Sequence, residues 1–149
     1  MWTLTRRAAL AAGAVTLTVS GWSQGAHAAV KEAADTVAKF TGGKDAATGK
    51  IMIDLPEIAE NGSTVPLTVS IDAPMTAENY VTDVLVVSEG NPNPGVVTFH
   101  FTPLSGKAEA QTRIRLAATQ NIVVVAKTSG GEFFTAQKQV KVTIGGCGG

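Results

Sequence analysis

Hydrophobic and polar positions follow two different rhythms along this chain. Residues 30–40 (VKEAADTVAKF) place Val30, Ala33, Ala34, Val37 and Phe40 at i, i+3, i+4 spacing, which predicts a helix with one apolar face against the domain. Thr41-Gly42-Gly43 ends it, with glycine where a helix C-terminus takes a positive φ. From there the period becomes two. Strands are predicted over 50–55, 65–71, 80–88, 96–101, 108–118, 122–127, 132–136 and 139–144. Turn-forming clusters separate them, among them Glu60-Asn61-Gly62-Ser63, Gly90-Asn91-Pro92-Asn93-Pro94-Gly95 and Ser129-Gly130-Gly131. Short strands without intervening helices predict an all-β, immunoglobulin-like antiparallel sandwich. The short N-terminal helix precedes it, and no internal repeat or second domain interrupts it.

The first residues read as a targeting segment rather than as fold. Thr5-Arg6-Arg7-Ala8-Ala9-Leu10 supplies a positive start to an apolar stretch ending at Val19. The small-x-small triplet Ala26-His27-Ala28 then places cleavage before Ala29. The stretch is too short and too rich in Ala, Gly and Thr to be a membrane anchor. Paired arginines ahead of it, Arg6 and Arg7, indicate the twin-arginine route, which carries folded proteins to the periplasm. The expected organisation is a signal at 1–28, a sandwich at 29–144 and a terminal arm at 145–149.

Composition narrows the function. The 149 residues carry 12 basic and 12 acidic side chains, a formal charge of zero, and show no basic cluster beyond Arg6-Arg7. Nucleic acid is therefore set aside. With His27 removed at cleavage, His100 is the sole histidine, so a multi-histidine metal site is excluded. His100 stands between Phe99 and Phe101 and points away from both rings. Asp54, Glu57 and Glu60 read as the solvated end of a strand. Arg113 and Arg115 share one face of a strand and read as an exposed or partner-facing pair, with an anion subsite as the lesser reading. No hydrolase triad, phosphate loop or zinc spacing is present, so the body reads as a scaffold with neither catalytic residue, metal nor cofactor.

The chemistry lies at the end. Residues 139–144 (QVKVTI) alternate as a final strand, and Gly145-Gly146-Cys147-Gly148-Gly149 follows at once. Glycines on both sides of the cysteine give the backbone its widest freedom. The reading is a slender flexible arm, built from Gly145, Gly146, Gly148 and Gly149, carrying one thiol that bonds its cargo covalently. Three residues past the strand reach about 10 Å. The nearest cation in sequence is Lys141 and no helix N-terminus precedes the cysteine. Activation of the thiol is accordingly assigned to partner proteins. An odd cysteine in an exported chain is also open to intermolecular pairing. Two rival readings are a carrier using a C-terminal thiocarboxylate, as ubiquitin-like proteins do, and an adhesive or structural sandwich that dimerises through Cys147.

The ending Val142-Thr143-Ile144-Gly145-Gly146-Cys147-Gly148-Gly149 resembles that of SoxY, the sulfur carrier family of the thiosulfate-oxidising (Sox) system. The resemblance extends through Pro56-Glu57-Ile58-Ala59-Glu60-Asn61-Gly62, Gly90-Asn91-Pro92, Phe99-His100-Phe101-Thr102-Pro103, Ser105-Gly106 and Thr112-Arg113-Ile114-Arg115-Leu116-Ala117. It implies an immunoglobulin-like domain paired with SoxZ, a subunit without its own signal that is exported bound to its partner. It implies that Cys147 carries the intermediates as a cysteine S-thiosulfonate. The cytochrome c complex SoxAX would couple thiosulfate to the thiol, and the dinuclear manganese hydrolase SoxB would release sulfate. A sulfane dehydrogenase, where present, would oxidise the remaining sulfur. A dimer of heterodimers linked through Cys147 is compatible with the same scheme.

Overall fold

The computed structural model describes residues 24–147. One helix, α1 (Gln24–Thr41), leads into nine strands among these residues: β1 (Ala47–Thr48), β2 (Ile51–Asp54), β3 (Ile58–Asn61), β4 (Val65–Ile71), β5 (Val81–Ser88), β6 (Gly95–His100), β7 (Ala108–Ile114), β8 (Gln120–Thr128) and β9 (Phe133–Ile144). They form an all-β sandwich. One sheet runs β1-β9-β8-β5-β6, with β3 also paired to β9, and the other runs β2-β4-β7. Alternation along the strands builds the core. Val65, Leu67, Val69 and Ile71 of β4 face Val84 and Val86 of β5, Ile122 and Val124 of β8 and Val140 of β9, all buried.

The helix covers the outer face of the larger sheet. Ala33, Val37 and Phe40 pack on Leu85, Val87 and Val123, and the Phe40 and Phe133 rings meet edge to face with centroids 6.1 Å apart. This explains why β5 and β8 read as nearly continuous apolar runs: both faces are covered. The expected C-terminus holds. Gly42 has φ +64°, and the Gly43 amide donates to the Ala38 carbonyl at 3.0 Å, the six-to-one bond of a Schellman cap. At its other end α1 begins before the expected residue 30, because the alanine-rich run through Ala29 favours helix. The expected cleavage point falls inside it. Residues 1–23, with Arg6 and Arg7, lie outside the described residues.

Three departures from the sequence-based expectation have physical causes. The strands expected at 132–136 and 139–144 are one strand, β9. Lys138 occupies an inward-facing register position opposite buried Ile122 and breaks the apolar alternation without breaking the ladder. Two strands went unpredicted: β1 has only two residues, and β3, Ile58-Ala59-Glu60-Asn61, lacks the apolar alternation that marks the equally short β2. Both add parallel to the same edge of β9, so the sandwich is not wholly antiparallel. The strand expected at 108–118 stops at Ile114, since the backbone of residues 115–117 finds other partners, described below.

Leu67 is 1% exposed at the centre of the smaller sheet. Leu67→Ala is expected to lower the unfolding free energy by about 2–5 kcal/mol. The change should appear in urea denaturation as a reduced midpoint with an unchanged slope.

Candidate functional site

Cys147 is the one free cysteine and is exposed. What holds the residues before it decides what it can reach. Beyond Val140, β9 leaves β8 and is continued by other partners. Its Lys141 amide donates to the Glu57 carbonyl at 2.9 Å, and its Val142 amide to the Thr119 hydroxyl at 2.9 Å. β3 runs alongside, with Ala59 opposite Val142 and Asn61 opposite Ile144.

At the end of β9 three backbone hydrogen bonds form a closed circuit. The Gly62 amide donates to the Ile144 carbonyl at 2.7 Å, the Leu116 amide to the Gly62 carbonyl at 2.8 Å, and the Gly146 amide to the Leu116 carbonyl at 2.9 Å. No side chain separates these backbones. A Cβ on Gly62 would be driven into the Leu116 carbonyl oxygen, and one on Gly145 into that of Ala117. A Cβ on Gly146 would lie 2.6 Å from the Gly62 carbonyl oxygen. None of the three glycines has a positive φ, so what the positions demand is the missing side chain. Gly146 is buried.

This adds contacts to the expected arm. Gly145 and Gly146, read from sequence as freely jointed, are fastened to the body in this structure. Cys147 is therefore the first residue past the fastening. Gly148 and Gly149 lie outside the described residues.

The segment that receives the arm is itself held from the opposite side. Asn91, 2% exposed, donates from Nδ2 to the Arg115 carbonyl at 2.8 Å, and its Oδ1 accepts from the Ala117 amide at 2.9 Å. Gln120 Nε2 donates to the same Oδ1 at 2.8 Å and to the Ala118 carbonyl at 3.0 Å, while Gln120 Oε1 accepts from the Gly90 amide at 2.8 Å. A buried amide pair thus pins residues 115–118 along one edge, leaving the Leu116 peptide groups to grip Gly62 and Gly146 on the other. Sequence reasoning gave Gly62, Asn91 and Gln120 no functional part. The available signal was that Asn91 and Gly62 sit in stretches shared with the family. Those stretches, around Gly62, Asn91 and Leu116, converge on the root of the arm.

The remaining candidates lie apart from this junction. His100 Nδ1 lies 2.5 Å from Asp83 Oδ1 across the β5–β6 pair. The imidazole is 75% exposed and points away from Phe99 and Phe101, which pack on the core. Asp54, Glu57 and Glu60 are exposed. Arg113 and Arg115 are exposed, and Arg115 adjoins the residue whose carbonyl holds Gly146. Among the described residues no group of three or more His, Cys, Asp or Glu side chains is placed to hold a metal ion, and no helix is long and apolar enough to cross a membrane.

A family model described as sulfur oxidation protein SoxY matches residues 37–147, from the helix through the cysteine. The chain belongs to the SoxY family. Membership implies, in general terms, a role in sulfur oxidation alongside SoxZ and other Sox proteins. Among solved structures, the sulfur carrier protein SoxY from Chlorobium limicola f thiosulfatophilum is similar at 35% identity and a TM-score of 0.62. The match covers 76% of this chain and 98% of that one. Superoxide reductase (neelaredoxin) from Ignicoccus hospitalis matches at 19% identity and a TM-score of 0.56, covering 63% of this chain and 80% of that one. Superoxide reductase from Nanoarchaeum equitans matches at 11% identity and 0.55, covering 64% and 100%. The likeness to the reductases is one of fold alone. Comparison with curated protein sequences returned no match.

The circuit at the arm's root makes a prediction about a residue outside the arm. Gly62→Ala is expected to loosen the fastening and speed hydrogen–deuterium exchange at the Gly146 amide about tenfold, the equivalent of losing one net hydrogen bond. Exchange read by NMR checks it. A tail free from residue 145 onward would show no change.

Proposed function

We propose that this chain is a non-catalytic carrier that holds sulfur intermediates on Cys147 and presents them, in the periplasm, to the enzymes that oxidise them. The observation that carries this reading is the placement of the cysteine. It is a lone exposed thiol, one residue beyond a buttressed root, within the span matched by the family model. A rigid body and a narrow tip meet the two demands on a carrier. The body gives partners a defined surface to dock on, and the tip offers a thiol without bulky neighbours to a cleft in each partner.

The chemistry balances with partners supplying what the chain lacks. Thiosulfate couples to the thiol as RSH + S2O3²⁻ → RS–SSO3⁻ + H⁺ + 2e⁻, the electrons passing to the haem of a SoxAX-type cytochrome. Hydrolysis by a SoxB-type enzyme follows: RS–SSO3⁻ + H2O → RS–S⁻ + SO4²⁻ + 2H⁺. A sulfane dehydrogenase then oxidises the outer sulfur where the host has one. The body contributes no acid, base or electron to either step; it holds the tether's origin still. SoxZ is the proposed permanent partner, the twin-arginine signal at Arg6 and Arg7 exports the folded pair, and two heterodimers can join through a Cys147 disulfide.

Trypsin cuts after Lys141 and isolates residues 142–149 with the single cysteine. After turnover with thiosulfate and the partner enzymes, this peptide is expected to gain the mass of an S2O3 unit or of added sulfur. Reductant should remove the adduct, prior alkylation should block it, and Cys147→Ser should abolish it along with thiosulfate-dependent electron transfer. A peptide that keeps its free-thiol mass throughout contradicts the carrier reading. Adducts that survive reduction and follow the terminal carboxylate would favour a thiocarboxylate carrier.

A further inference from the structure

We propose that Arg115, with Arg113 beside it, forms an anion subsite on the body that receives the sulfonate end of the cargo on Cys147. The proposal rests on Cys147 being the attachment residue, and it adds a place for the cargo to rest between partners.

The strand pattern comes first. Along β7 and its continuation, Ile114 and Leu116 turn inward and are buried, while Arg113 and Arg115 turn outward and are exposed. Two residues apart on an extended chain, their Cα atoms are about 7 Å from each other. The only ion pair among the described residues joins His100 to Asp83, so neither guanidinium is engaged by a carboxylate there. The depression they border lies on the Asn91 side of this segment; Asn91, Asn93, Gly95, Val96 and Ile114 complete its lining, which contains no acidic residue.

The path of the arm comes second. Gly145 is set against Ala117 and Gly146 against Leu116, so the root runs antiparallel to residues 115–117. The next residue along the arm is Cys147, and the next along the opposing segment is Arg115. Each is one Cα step of about 3.8 Å from the residues that make the Gly146–Leu116 bond. A side chain at Gly146 would run into Gly62 and Ser63, and the two residues that flank the Gly146–Leu116 bond, Cys147 and Arg115, are both exposed. Asn91 fixes the Arg115 carbonyl, so the base of that side chain does not drift.

The chemistry comes third. A guanidinium offers five donors in a planar fork, suited to the oxygens of a sulfonate. An S-thiosulfonate ends in such a group, whereas the persulfide left after sulfate departs does not. The subsite therefore distinguishes the states of the cargo. The sulfonate-bearing arm lies against the body, and loss of sulfate frees it.

The test uses the chain in complex with SoxZ and compares how fast Cys147 reacts with an anionic and a cationic methanethiosulfonate reagent of similar size, sulfonatoethyl and trimethylammonioethyl. The anionic-to-cationic rate ratio is expected to fall about threefold in Arg115→Gln and about tenfold in the double variant Arg113→Gln/Arg115→Gln. Lys107→Gln, which removes the same charge at the far end of β7, should leave it unchanged. Raising ionic strength from about 0.01 M to about 1 M should erase the native preference, as screening requires. A ratio unaffected by Arg115→Gln, or a native ratio insensitive to salt, overturns the subsite. These rates do not depend on turnover. A peptide without sulfur adducts would sink the carrier reading and leave the rate ratios standing, so the two failures are separable.

Discussion

One carbonyl group, that of Leu116, fixes where the reactive part of this molecule begins. It accepts the Gly146 amide while its own residue's amide donates to Gly62, and Gly62 in turn donates to Ile144. The circuit joins the last strand to two connections from elsewhere in the chain and closes one end of the sandwich. Each bond contributes about 1 kcal/mol net. Their effect is larger than that sum suggests, because the groups are backbone and the approach allows no Cβ at Gly62, Gly145 or Gly146. The Leu116 side chain, 0% exposed, anchors the circuit in the core. Asn91 and Gln120 hold the same segment from behind. The root is fixed by packing and by hydrogen bonds together.

A fastened root changes the mechanics of a carrier. With Gly146 held, the thiol extends one residue and a side chain past the body. On the proposed carrier reading, a partner's cleft would have to come close to the sandwich surface around Ile144 and Gly62 to receive it. Release of Gly145 and Gly146 would add about 7 Å of reach, two residues at full extension. The fold thus offers a short tether in its resting form and a longer one at the cost of a few weak bonds. On the proposed carrier reading, the first would keep the cargo beside the body and the second would serve a deeper cleft.

Much of this was legible in the sequence and some was not, for definite reasons. Helix α1 announced itself through Val37, Phe40 and the Gly42-Gly43 stop, and the sandwich through the alternation of β4 and β7. Cys147 stood out because an isolated thiol among glycines has no structural employment. The strands β1 and β3 did not register, since β1 has two residues, β3 (Ile58-Ala59-Glu60-Asn61) has no apolar alternation, and their pairing with β9 is a long-range event. Lys138 interrupts the apolar alternation of β9 at an inward position, so the pattern reads as two strands where the ladder is one. Gly145 and Gly146 show what the sequence pattern leaves open. Glycine confers freedom, and it also permits contact that no other residue allows. Only the tertiary neighbours Gly62 and Ala117 decide which property is in use.

Backbone ¹⁵N relaxation through residues 142–147 tests the central claim most directly. The account predicts order parameters near 0.85 through Gly146, followed by a fall below about 0.6 at Cys147. A decline that sets in at Gly145, with Gly146 as mobile as the thiol-bearing residue, would contradict it.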